Sequence, residues 1–284
     1  MPPLINVPIR YRPLPTINTD FTSISAGGLG KTSYVDFASR SGHVSSDGMY
    51  YYSSGFYDTV SRLELPAKNS TDGISNATPY QNISLNDTAG IANFNDDGTQ
   101  LIIRYASGNA SVGGSYRVYD LQTPYDVSNK TLIDDHTFQL ASWFDSEGYA
   151  ISVSGSHILF SRTSSPNQYL LYEFPNGFGD LGTYIHKGTF TVSNMRAYGF
   201  ALSHDGKAMA IATAAGYGDL INIYNMSTAY NIGSGVSLAT QVSHLPIVNP
   251  ASMAFSRDGT TLFVADGSVT ADPVSGRYIA DFKF

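Results

Sequence analysis

The chain has 284 residues, enough for one large domain, with only 14% charged residues and a formal net charge of −7. That mild anionic balance, with no two Lys or Arg adjacent, argues against a nucleic-acid partner. The absence of Cys excludes a disulfide framework and thiolate chemistry, and no stretch approaches the ~18 apolar residues of a membrane span, so no membrane insertion is expected.

Residues 1–30 differ from the rest of the chain. Prolines at 2, 3, 8, 13 and 15 forbid helix and central strand. The start, Met1 to Pro8, has no basic region and is not expected to be a signal peptide. Leu4, Ile5, Val7, Ile9, Tyr11, Leu14, Ile17 and Phe21 are nevertheless apolar. An extended arm of this kind packs across its own domain or docks on a partner; the expectation is docking on another protein. Gly27-Gly28-Leu29-Gly30 reads as the pivot. Ala26 to Thr32 has the look of a phosphate-loop tail, but Ser25 stands where such a loop needs Gly, and no strand–helix frame surrounds it.

From about Lys31 a motif recurs: a short apolar strand, a turn closing on Gly, then a second apolar strand. Its copies are His43–Gly48, Asn93–Gly98, Ala150–Gly155, Ala201–Gly206 and Ala254–Gly259. A spacing of roughly 50 residues with several strands per unit is the mark of a β-propeller. The unit around Gly98 is laid out as strand A over Gly90–Asn95, strand B over Gln100–Ala106, strand C over Tyr116–Leu121 and strand D over about Thr137–Trp143. Asp-Gly closes the A–B hairpin in four units, where Gly tolerates the positive φ. Strand B is apolar almost throughout, as in Leu101-Ile102-Ile103 and Leu262-Phe263-Val264, which fits burial on both faces.

After Gly259 only two more strands fit, Thr261–Ala265 and Tyr278–Phe282, while a spare strand, Ser33–Ala38, precedes the first unit. If the spare strand completes the last sheet, the ring closes without open edges. The predicted organisation is therefore an arm over 1–30 and an all-β, five-bladed propeller over 31–284. The rival is six blades, with one degenerate unit between Gly98 and Gly155.

Strand C is followed by Tyr119-Asp120-Leu121-Gln122-Thr123-Pro124-Tyr125-Asp126-Val127-Ser128, which returns as Tyr224-Asn225-Met226-Ser227-Thr228-Ala229-Tyr230-Asn231-Ile232. With Phe255-Ser256-Arg257-Asp258-Gly259-Thr260-Thr261-Leu262-Phe263-Val264, these segments resemble the propeller repeats of bacteriophages and marine viruses. The resemblance covers the repeats and not the arm, and units one and three depart from the second phrase at Leu63–Ala67 and Tyr172–Pro175. It implies a structural virion protein, a spike, tail or surface component, joined to other virion proteins through residues 1–30. It carries over no catalytic residue.

The residues themselves signal little chemistry. Asn93 to Gly98 mimics the start of an EF-hand loop, but Arg104 stands where the bidentate Glu belongs. His43, His136, His157, His186, His204 and His244 show no metal-ligand spacing, so no metal and no cofactor are expected; His43 stands out because it falls on an inner strand. Asp47, Asp97, Asp205 and Asp258 repeat around one rim, and the inner strands carry no acidic pair of the kind a glycosidase sets across a funnel. The expectation is not an enzyme. What remains is the rim shared by the D–A and B–C loops. There Tyr57, Trp143, Arg196, Tyr198 and Tyr217 suit a sugar, whose C–H faces stack on rings. Host-surface or glycan attachment is the reading; a carbohydrate-active or lactonase-like enzyme, and a plain scaffold module, are the alternatives.

Overall fold

Each blade follows from one constraint: a strand whose residues are all apolar must cover both faces. In a computed structural model, described for residues 24–32, 41–54, 59–75, 78, 80–85, 90–105, 115–137, 151–162, 167–192, 197–213, 220–243, 247, 250–266 and 277–284, the chain forms five four-stranded sheets. A first strand, β1 (Ser25–Thr32), stands apart in sequence from its sheet. Blade 1 is β2 (Ser41–Val44), β3 (Tyr50–Ser54), β4 (Thr59–Glu64) and β5 (Tyr80–Ser84). Blade 2 is β6 (Gly90–Phe94), β7 (Gln100–Tyr105), β8 (Ser115–Leu121) and β9 (Lys130–Thr137). Blade 3 is β10 (Ile151–Ser154), β11 (His157–Arg162), β12 (Asn167–Glu173) and β13 (Ile185–Val192). Blade 4 is β14 (Ala197–Leu202), β15 (Ala208–Thr213), β16 (Leu220–Met226) and β17 (Val236–Ser243). Blade 5 is β18 (Pro250–Phe255), β19 (Thr261–Asp266), β20 (Arg277–Lys283) and, from the other end of the chain, β1. This is a five-bladed β-propeller, not a six-bladed one.

The core is five apolar seams, one between each pair of neighbouring blades. Alternate residues of each second strand supply the two seams on its flanks. In β7, Leu101 and Ile103 face blade 1 while Ile102 faces blade 3. In β15, Met209 and Ile211 face blade 3 while Ala208, Ala210 and Ala212 face blade 5. In β3, Tyr51 faces blade 5 and Tyr52 faces blade 2. Five seams for five sheets leave no blade with an uncovered face.

Closure uses a different segment from the one expected from the sequence. β1 pairs antiparallel with β20, from Ser25 opposite Lys283 to Thr32 opposite Arg277. Ser33–Ala38 lies outside the described residues. The ring strand therefore straddles the boundary at residue 30, and Gly27 to Gly30 form part of a blade and not a pivot. The glycines are there for space. The pairing breaks register between Ala26 and Leu29, and at this bulge the backbone is pressed against Asp281. A Cβ on Gly27 would stand 2.1 Å from Asp281 Oδ2, and one on Gly28 would stand 2.5 Å from the Asp72 amide nitrogen. The Asp281 side chain is fully buried. Its Oδ1 accepts from Gly28 N at 3.0 Å, Thr71 N at 2.7 Å and Thr71 Oγ1 at 2.7 Å, and the Lys283 ammonium lies 3.0 Å from Oδ2. One carboxylate thus ties the closing strand, blade 5 and the loop after β4. Residues 1–23 of the arm lie outside the described residues.

The outer strand of blade 2 also differs from its expected place. It is Lys130–Thr137, not Thr137–Trp143. An outer strand is largely exposed, and between Thr131 and His136 the apolar residues are only the adjacent Leu132, 48% exposed, and Ile133, which make no apolar alternation to read.

Substitution of Gly27 by Ala should cost about 2–3 kcal/mol of stability through the clash with Asp281, and Asp281→Ala about 2–4 kcal/mol through the orphaned donors of Gly28 and Thr71. Leu29→Ser, on the same strand but 47% exposed, should stay within about 0.5 kcal/mol. Urea unfolding of the three variants checks this; a wild-type midpoint for Gly27→Ala refutes the bulge contact.

Candidate functional site

The recurring hairpin is a self-contained hydrogen-bonded turn. In blade 4, Ser203 Oγ donates to Asp205 Oδ1 at 2.7 Å and accepts from Ala208 N at 2.9 Å, while Asp205 Oδ1 accepts from Lys207 N at 3.0 Å. Ser45 with Asp47 and Ser256 with Asp258 repeat this at 2.5 and 2.6 Å, and Asn95 with Thr99 and Asp97 is the variant in blade 2. The Asp-Gly aspartates are thereby committed to Asx-turn geometry. No group of three or more His, Asp or Glu side chains that would hold a metal occurs among the described residues.

The second recurring phrase supplies a latch over that turn. Tyr125 and Tyr230 adopt left-handed backbone conformations, with φ of 65° and 56°. Each donates its backbone N–H to the carbonyl of the turn glycine, Gly98 or Gly206, at 2.8 Å. Each ring lies where a Cβ on that glycine would be, within 2.3–2.4 Å, so glycine is required twice over, by φ and by the ring. The hydroxyls reach the preceding blade. Tyr125 Oη accepts from Ser46 N at 3.0 Å. Tyr230 Oη donates to the His204 carbonyl at 2.5 Å and lies 3.1 Å from Ser154 Oγ, and its ring stacks on His157 at 3.9 Å.

The residue just before each Asp-Gly falls near the ring axis, and here the repeats diverge: Ser46, Asp96, His204 and Arg257. Three of these converge. Asp96 Oδ1 lies 3.0 Å from His204 Nδ1, its Oδ2 accepts from Gly155 N at 3.0 Å, and its carbonyl accepts from Arg257 Nη1 at 3.3 Å and Tyr125 Oη at 3.4 Å. With Ser46 held through Tyr125, this cluster joins all five blades. Burial pushes the Asp96 carboxyl up, but His204 beside it, its hydrogen bond, the Gly155 amide and nearby His43 outweigh this and leave it below the ordinary carboxylate range. An ionised, nearly buried Asp96 is thus the electrostatic centre of this end of the axis.

Directly inside it sits His43, buried among Tyr52, Phe94 and Tyr125 with ring centroids 6.5, 5.6 and 5.7 Å away. Burial, then repulsion from His204, lowers its pKa from 6.5 to about 3, against the opposing pull of Asp96 and a hydrogen bond with Asn93. Its Nε2 is buried without a hydrogen-bond partner among the described residues. Below it Asn93 Nδ2 donates to Ser41 Oγ at 2.8 Å and to the carbonyls of Ile151 and Gly42 at 3.2 and 3.3 Å, so three inner strands meet on one amide.

The residues expected to form a sugar-binding rim are not among the contacts just given. Tyr57, Trp143, Arg196 and Tyr217 belong to connections outside the described residues; Tyr198 is in β14, and its side chain too lies outside what is described. The sequence singles out His43 and does not by itself reveal the convergence of Asp96, His204 and Arg257. A signal was there: they share one position in the repeat, and a ring brings equivalent inner positions together.

No protein-family model matches the sequence, and no curated protein is detectably similar. Solved propeller structures are similar at low identity. The hydrazine synthase of Kuenenia stuttgartiensis aligns at 13% identity over 78% of this chain and 67% of that one, TM-score 0.42. The Cps50 (Swd1) β-propeller domain of Myceliophteria thermophila aligns at 12% over 81% and 66%, TM-score 0.41. A chain of the mitotic checkpoint complex aligns at 9% over 92% and 94%, TM-score 0.45. At these values no function carries over, and the fold rests on the sheet topology itself.

The histidines give a pH signature with a defined sign. In the unfolded chain His43 and His157 protonate near 6.5; folded, they resist until about 3 and about 4. The unfolded state therefore binds more protons below 6.5, and stability is full above that value and falls as the pH drops. Between pH 6.5 and 5 the loss should approach ~1.4 kcal/mol per pH unit for each group. Urea titrations across this range should show His43→Phe, which keeps the aromatic packing, with a slope shallower by one proton; an unchanged slope contradicts the placement of His43.

Proposed function

We propose that this propeller is a non-catalytic binding module of a virus particle, a spike, tail or surface component that contacts a host surface through the rim formed by the D–A and B–C connections. The observation that carries the reading is that the described polar side chains of the A–B end are taken up by the fold. At the A–B end the polar side chains have structural tasks: Asp47, Asp97, Asp205 and Asp258 build turns, and Asp96, His204 and Arg257 join blades. The aromatic and Arg residues expected at the rim, Tyr57, Trp143, Arg196 and Tyr217, stand in the sequence between the strands that the B–C and D–A connections join. Aromatic rings beside hydrogen-bonding groups suit a glycan. The repeat phrases shared with bacteriophage and marine-virus propellers supply the virion context, and the Pro-rich, apolar residues 1–23 supply a segment to join it to other virion proteins.

A glycan array read with the wild type, Trp143→Ala and Tyr198→Ala tests this. Each stacked ring is worth on the order of 1 kcal/mol, so each variant should bind about fivefold more weakly with an unchanged melt. A blank array, together with no binding to host cells, leaves the scaffold reading in its place. Turnover of a glycan or lactone by the wild type supports the enzyme reading instead.

A further inference from the structure

In blades 1, 2 and 4 the C–D turn caps the A–B turn. Asn69, Tyr125 and Tyr230 take a left-handed backbone, with φ of 53°, 65° and 56°, and each donates its N–H to the carbonyl of the turn glycine, Gly48, Gly98 or Gly206, at 2.8 Å. Those three glycines are buried. Gly155 of blade 3, which no such N–H caps among the described residues, is exposed. The C–D turns also plug the seams. Ile74, Val127, Leu181 and Ile232, from blades 1 to 4 in turn, are each buried in the seam their blade makes with the one before it.

Blade 5 is built differently. Its third and fourth strands, β20 and β1, are not consecutive, so no continuous turn joins them. Its frame is nevertheless that of the other blades. Phe284 donates its N–H to the Thr260 carbonyl at 3.0 Å, as Leu65, Leu121 and Met226 donate to Met49, Thr99 and Lys207 at 2.8 Å. Gly259 has a φ of 70° and is buried, as the capped glycines are. In the seam between blades 4 and 5, however, no described residue takes the place that Ile74, Val127, Leu181 and Ile232 take in the others. Ile24 and Phe284 pack at its mouth and are only half-buried.

The register says which residue belongs there. Ser25 pairs with Lys283, so Ile24 comes opposite Phe284, as Lys130 comes opposite Leu121 in blade 2. The plug of blade 2, Val127, lies three residues ahead of Lys130; three residues ahead of Ile24 is Phe21. We propose that residues 18–23 dock on their own ring as the C–D turn of blade 5. They pass over the Gly259 turn and seat Phe21 in the seam between blades 4 and 5, beside Phe255 and Phe284, whose ring centroids are 5.9 Å apart. This segment is the occupant because the chain enters β1 at the mouth of that same seam, through Ile24. Burying one more aromatic ring there removes apolar surface from water. Residues 1–17, with every proline of the arm, are left for other virion proteins; the docking of 18–23 does not depend on that reading.

Thermal unfolding of the full chain, of Phe21→Ser, of Leu14→Ser and of a chain lacking residues 1–17 tests this. Phe21→Ser should melt roughly 5–10 °C below the wild type, the loss expected for one buried ring in a domain of this size. Leu14→Ser and the shortened chain should melt with the wild type. Hydrogen exchange reads the same contact without a substitution. In the folded full chain the amides of residues 18–23 should exchange at least about tenfold more slowly than in a synthetic peptide of residues 14–24. Exchange at the peptide's rate overturns the proposal, as does a wild-type melt for Phe21→Ser. A melting temperature that rises with protein concentration places the segment on a second copy of the chain and overturns it too.

Discussion

The structure depends on the two-sided burial of its second strands. β7, β11, β15 and β19 carry apolar residues at every central position, so neither face of any blade can be left to water. A linear stack of such sheets would expose two apolar faces at its ends. Closing the stack removes both, and the last sheet must then be completed by a strand from the opposite end of the chain, or an edge stays open at the place where closure is required. The β1–β20 pairing satisfies that need, and the buried Asp281 fixes its register by accepting from the closing strand and from Thr71 at once. A fully buried carboxylate is costly unless it is met by donors and a cation; three hydrogen bonds and Lys283 meet it here. Gly27 and Gly28 are what that close approach demands of the chain.

With the frame closed, the polar repeats divide into two kinds. Some act within a blade, as the Ser–Asp hairpins do, and these recur with little change because each blade needs one. Others act between blades. Tyr125 and Tyr230 cross to the preceding blade, Tyr51 Oη meets Ser252 Oγ at 2.5 Å across the seam between blades 1 and 5, and Ser152 Oγ accepts from Leu202 N at 3.0 Å across the seam between blades 3 and 4. Such contacts are not bound to repeat, since each seam has its own pair of partners.

This difference explains what was legible in the sequence. The hairpins and the apolar second strands are local and periodic, so five blades and their inner strands follow from the spacing of Gly48, Gly98, Gly155, Gly206 and Gly259. Outer strands such as Lys130–Thr137 face water and have no apolar period to read. The closing strand was hidden by its glycines: Gly27-Gly28-Leu29-Gly30 has the composition of a hinge, and only the position of Asp281, more than 250 residues away in the chain, shows why a strand needs them. The axial cluster was hidden for another reason. Asp96, His204 and Arg257 are far apart in sequence, each is an ordinary exposed-turn residue type, and it is the ring that superimposes one repeat position on a single point.

The same geometry says where individuality can enter a repeat protein without cost to the fold. A position that packs in a seam is held by two neighbours, and one that builds a turn is held by its own hydrogen bonds. A position that faces the axis, or caps a turn beside it, is held by partners peculiar to its own blade, as Asp96, His204 and Arg257 hold one another, so these positions differ in size and charge from blade to blade, and Asn69 stands where two other blades have a tyrosine while its backbone keeps the same left-handed turn. Departures from the repeat at such positions set the charge and shape that the ring presents near its axis, and they replace one inter-blade tie by another, as the Asp96–His204 pair does here.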